Sequence, residues 1–258
     1  MGKKIKYFLK RYKNEIATAI VSFILTAVSL IFVDDIKISM SLSLLVIFVG
    51  LVVTIYFRLK ERAFFYIPFD RRDDKDDWAG EGNFEYFRTD ESYVITQSYS
   101  GFIFQKIFTW TDYRVVFDFQ IINKCLGVIL RTINLSNYVM LQINCTGIRP
   151  HLRINSGWKI EEANAAGLEF RKPLLKNTWY KCEVLCDKKI ISIKILDKNN
   201  IIYDQKWEIP SGAVLFEFGE KDKKVMIPFP IDLEYGTIGF RNYGHEKALV
   251  RNLLVEKI

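Results

Sequence analysis

The chain has 258 residues, half of them hydrophobic, 26% charged and 15% aromatic, a composition that excludes a disordered chain and favours β-structure. Four Cys and two His exclude a disulfide scaffold and a His-rich metal site. The whole net charge of +7 falls in residues 1–72, which hold 12 basic and 5 acidic side chains; residues 73–258 hold 25 of each, so stable nucleic-acid binding is not expected there.

Two uncharged apolar runs come first, residues 16–33 and residues 38–57. At about 1.5 Å rise per residue, each is long enough, or nearly so, to cross a hydrocarbon core of roughly 30 Å. The pattern predicts a two-helix transmembrane hairpin within residues 1–62, with the lipid bilayer as its partner. Lys3, Lys4, Lys6, Lys10, Arg11 and Lys13 precede it, Arg58, Lys60 and Arg62 follow it, and the turn carries Asp34 and Asp35. The positive-inside rule then places both termini in the cytoplasm of an inner (plasma) membrane. Thr18, Ser22, Thr26 and Ser29 share one face of the first span. Such small polar side chains either pack the hairpin against itself or line contacts between protomers of a homo-oligomer. No ionisable residue lies in either span, so a proton relay has no support.

Residues 63–77 are polar and charged for most of their length and are expected to be a linker, although Phe64 onwards also fits a first strand. From residue 78 to the end, short alternating runs are split by Gly, Asn, Asp and Pro. DYRVVFDFQI, CLGVILRTI, NYVMLQIN and IRPHLRI follow at intervals of about ten residues. TWYKCEVLCD, KIISIKIL and IIYDQKW are separated by DK and DKNN, both good hairpin turns. YGTIGFRNY and KALVRNLLVEK close the chain. Residues 161–170 are a short helix or a long loop, and residues 213–234 an insert that serves as a lid, a membrane contact or plain packing. The spacing predicts an all-β antiparallel sandwich or barrel over residues 78–258.

The tail GTIGFRNYGHEKALVRNLLVEKI resembles the closing strands of concanavalin A-like lectin/glucanase sandwiches. LKNTWYKCEVLCDKKIISIKILDKNNIIYDQ is similar to the central meander of that superfamily, and YRVVFDFQI with LGVILRTINLSNYVMLQI to its earlier pair. The resemblance implies a jelly-roll sandwich, and a fold does not give a function. Retaining glucanases need two carboxylates about 5–5.5 Å apart. Asp232 and Glu234 have Pro230 where a Glu would be needed, and Glu217 and Glu220 lack the spacing. No GxSxG and no phosphate-cradling Gly loop occurs, so neither an enzyme nor a bound cofactor is expected. Cys182 and Cys186, four apart on one strand, are expected in the core rather than on a metal.

The strands have two faces. Val115, Phe117, Phe119, Val128, Leu130, Val139, Leu141, Ile143, Leu152 and Ile154 are expected inside. The opposite face carries Arg131, Tyr138, Gln142, His151 and Arg153, with Trp158 following. Arg and Tyr supply planar donors and stacking surfaces suited to a small anionic or planar ligand, such as a nucleotide or a sugar. The plan of two spans and a soluble β-domain is similar in architecture to bacterial two-transmembrane plus β-domain anti-phage effectors. That resemblance implies an effector: the sandwich binds a cytoplasmic signal such as a cyclic nucleotide, and the hairpins assemble to perturb the inner membrane. Two rival readings are a membrane-tethered carbohydrate- or protein-binding module and a tethered hydrolase.

Overall fold

The computed structural model describes residues 48–50, 64–210, 212–218, 223–229 and 233–258, and the chain divides into two units, Met1–Ala63 and Phe64–Ile258. In the first unit, residues 48–50 are helical. Among the described residues no helix is long and apolar enough to cross a membrane. Both expected spans, apart from those three residues, and the Thr18, Ser22, Thr26 and Ser29 stripe lie outside the described residues.

The second unit is an all-β antiparallel sandwich. Its strands are β1 (Phe64–Ile67), β2 (Trp78–Phe87), β3 (Ser92–Phe104), β4 (Tyr113–Asn123), β5 (Cys125–Asn134), β6 (Asn137–Asn144), β7 (Ile148–Ile154), β8 (Gly157–Ile160), β9 (Trp179–Asp187), β10 (Ile190–Asp197), β11 (Asn200–Glu208), β12 (Gly212–Phe218), β13 (Lys223–Phe229), β14 (Thr237–Arg241) and β15 (Lys247–Lys257). Residues Phe64–Ile67, expected within the linker, pair as β1 with Leu253–Glu256 of β15. Residues 161–170 form turns, with Leu168 buried, and most of the 213–234 insert forms the β12–β13 hairpin, whose β12 pairs with β8 at Glu217 and Trp158.

The strands run in the order β11-β10-β9-β4-β15-β3-β14-β5-β6-β7-β8-β12-β13. Alternation explains how this path folds into two layers. Phe117, Val184, Ile193 and Val250 on β4, β9, β10 and β15 share one buried cluster with Val128, Leu141, Ile154 and Phe240 on β5, β6, β7 and β14. Every residue expected inside is buried. The layers join at β3: Tyr93–Thr96 pair with β15, whereas Phe102 and Ile103 pair with β14. Between them Gln97 and Gly101 take positive φ (51° and 103°), and β2 follows the bend with Gly82 at φ 104°. A Cβ at Gly82 would sit 2.4 Å from the Gln97 carbonyl oxygen, so glycine is required there.

Buried Asn242 ties the bend to both layers. Its Nδ2 donates to the Ile95 carbonyl at 3.0 Å, and its Oδ1 accepts from the Gly127 N–H at 3.2 Å. Its backbone N–H donates to Ser98 Oγ at 2.7 Å.

Candidate functional site

Tight turns set the register of the second layer. Asn155 and Ser156, both at positive φ, join β7 to β8 in a two-residue hairpin and leave Ile154 opposite Gly157. Tyr138, Arg153 and Trp158 therefore fall in one cross-strand row, with Met140, His151 and Ile160 in the next and Gln142 beside Arg149 in a third. On the far side Arg241 of β14 pairs with Gly127 of β5. All these side chains share the outer face, because their neighbours Val139, Leu152 and Phe240 point into the core.

This face is not a plain solvated surface. Ile103, Ile129, Tyr138 and Met140 form a second buried cluster, with Phe108, Leu135 and Trp158 packed against it. Above that floor the Arg153 and Arg241 guanidinium carbons lie 5.0 and 4.8 Å from the Trp158 ring centroid. Arg153 Nη1 donates to Tyr138 Oη at 3.1 Å, and that hydroxyl donates to the Ser100 carbonyl at 3.2 Å. Arg241 Nε donates to the Tyr99 carbonyl at 2.7 Å, while its guanidinium also lies over the Tyr243 ring. Tyr99 and Tyr243 are 64% and 49% exposed and meet edge to face at the rim. Gln142 Nε2 donates to Glu246 Oε1, whose other oxygen accepts the Tyr243 N–H. Gly127 opens the floor: a Cβ there would lie 2.5 Å from the Arg241 carbonyl oxygen and 2.9 Å from Met140 Sδ.

Electrostatics follow burial. Desolvation, then the charges of Arg149 and Arg241, pull the His151 pKa down to about 3, so its ring is neutral at neutral pH. That ring is 4% exposed, stands perpendicular to Trp158, and its Nε2 has no hydrogen-bond partner. Burial lowers the Arg241 pKa and raises that of Tyr138.

Five of the six residues expected to bind ligand meet here: Tyr138, Gln142, His151, Arg153 and Trp158. Arg131 does not. The β5–β6 register slips between Leu130 and Asn134, and Arg131 takes φ 50°. That bulge turns its side chain inward, where it is 1% exposed, donates to the Leu233 carbonyl at 3.2 Å and faces Asp112 at 3.7 Å. Arg241, Tyr243, Tyr99 and Glu246 complete the face. Alternation in GTIGFRNY would have found Arg241, since Phe240 inside puts it outside. The others come from loops and bends that carry no periodic signal.

The remaining features of the unit are of other kinds. A cleft of ≈ 320 Å³ at the β2 edge is lined by Lys75, Asp76, Trp78, Gly80, Gly82, Phe84, Glu85 and Phe102. Glu217 and Glu234 are exposed, while Glu220 and Asp232 lie outside the described residues. Cys182 and Cys186 are fully buried. No group of His, Cys, Asp and Glu among the described residues is placed to hold a metal.

No family model and no curated protein matches the chain. Solved structures do. A carbohydrate binding module from Bacillus subtilis is 9% identical, covering 76% of this chain and 96% of its own, with a TM-score of 0.40. A protein of unknown function with a galectin-like fold, also from Bacillus subtilis, is 16% identical, covering 75% and 94%, with a TM-score of 0.43. A xylan beta-1,4-xylosidase from Bacillus halodurans is 8% identical over 74% of this chain and 39% of its own, with a TM-score of 0.46. These are likenesses of chain path alone.

Proposed function

We propose that residues 64–258 are a saccharide-binding module whose site is the outer face around Trp158. The observation that carries this reading is the Trp158 ring, partly exposed, flanked by two guanidiniums and seated on a dry floor. An aromatic ring offers an apolar platform for the C–H face of a sugar. Arginine forks donate to hydroxyls and fix orientation, and Gln142 and Glu246 add bonding groups of both kinds. The rim tyrosines extend the surface beyond one ring. The apolar runs at 16–33 and 38–57 would tether this module to a membrane. The effector reading rests on residues 1–62, almost all outside the described residues.

A glycan array with the full chain identifies the saccharide, and calorimetry then compares variants. Trp158→Ala is expected to weaken binding about tenfold or more, roughly 1.4 kcal/mol, and to melt earlier than wild type while still folding, because the ring also packs on the buried cluster. Unaltered affinity in that variant would move the site elsewhere.

A further inference from the structure

We infer that the saccharide bears a carboxylate, bound jointly by Arg153 and Arg241. This inference rests on the saccharide-binding reading above. Both guanidiniums approach the same Trp158 ring, so their carbons lie within about 10 Å of each other. Like charges at that range repel: burial is the main cause of the lowered Arg241 pKa, and Arg153 adds to it against the smaller raising effects of Tyr138 and Glu246. Among the described residues, the arginines that pair with carboxylates are Arg71, Arg114, Arg131, Arg149 and Arg251; neither Arg153 nor Arg241 does so. Three carboxylates lie around the face: Glu162 pairs with Arg149, Glu246 accepts from Gln142 and the Tyr243 N–H and acts on Arg241 from a distance, and Glu217 stands opposite Trp158 on β12.

The opposite layer shows what a balanced version looks like. There Arg251 lies 3.9 Å from the Trp179 centroid, and Asp118 sits 3.8 Å from its Nε while also accepting from Lys181 and Asn252. Around Trp158 the same Arg–Trp contact is doubled and has no Asp. A carboxylate between the two forks accepts planar, charge-assisted bonds from both. Neutral His151 adds no charge to this pair.

The test uses the full chain and a panel of oligosaccharides containing uronate or sialate, each beside its methyl ester, with poly-glutamate and inorganic phosphate as anions without sugar. At least one acidic saccharide is expected to bind tenfold or more tighter than its ester and than either plain anion. The panel itself separates uronate from sialate. R153Q and R241Q should each abolish the preference for acid over ester. Where a Gln variant melts early, R153K or R241K keeps the charge and should keep the preference at reduced affinity. Equal binding of acid and ester overturns the carboxylate inference and leaves the saccharide reading standing. Poly-glutamate or phosphate binding as tightly as the acid overturns both, as does an absence of saccharide binding altogether.

Discussion

At the scale of single residues, His151 links the site to stability. Its folded pKa of about 3 lies below the ordinary value near 6.5. Between those pH values the unfolded chain binds a proton that the native chain refuses, so stability falls as pH drops from about 6.5 toward 3. One proton sets a limit of about 1.4 kcal/mol per pH unit. Denaturant titrations at pH 7 and pH 4.5 should show wild type losing more stability than His151→Gln. Equal losses would mean that the native ring takes up its proton in the ordinary range. Above pH 7 His151 contributes no slope. Arg131 shows where residue-level reading runs out. Strand alternation places it beside Tyr138, but a bulge that adds two residues to β5 between Leu130 and Asn134 turns it inward. Nothing in ILRTIN marks that bulge, whereas the alternation through Tyr138, Gln142, His151 and Arg153 is unbroken and was legible.

At the scale of elements, the molecule depends on one bend. β3 leaves one layer and enters the other between Thr96 and Phe102, and Asn242 bonds across it to Ile95 and Gly127. Replacing Asn242 with Leu strands a buried carbonyl and a buried N–H, at about 1–3 kcal/mol each. Chemical denaturation should show a loss of about 2–5 kcal/mol, and a loss below 1 kcal/mol would mean that the bend is held by Gly82 and Gly101 without it. The strands themselves were legible because apolar and polar residues alternate and the turns carry DK, DKNN and NS. The first strand was less so: FFYI is apolar on both sides and sits between the basic flank and an acidic run, so it reads equally as an interface belt. How the bend divides the sheet was not legible, because it depends on side-chain bonds between residues more than a hundred positions apart.

At the scale of the whole molecule, the sandwich offers three tryptophan-bearing surfaces, and the account assigns binding to one. Trp158 lies on the outer face of the second layer, Trp179 on that of the first beside Arg251, and Trp78 lines the cleft at the β2 edge. Ion pairing separates them: Arg251 lies within 4 Å of Asp118, whereas Arg153 and Arg241 donate to Tyr138 and to the Tyr99 carbonyl. The central claim is tested most directly by following the five indole N–H signals of the full chain, labelled with 15N, as an acidic saccharide selected on the glycan array is added. The Trp158 signal, identified by its loss in Trp158→Phe, should move with saccharide while those of Trp78, Trp110, Trp179 and Trp207 stay in place. A shift confined to Trp179 or Trp78, with Trp158 unmoved, would contradict the account and transfer the site to another face.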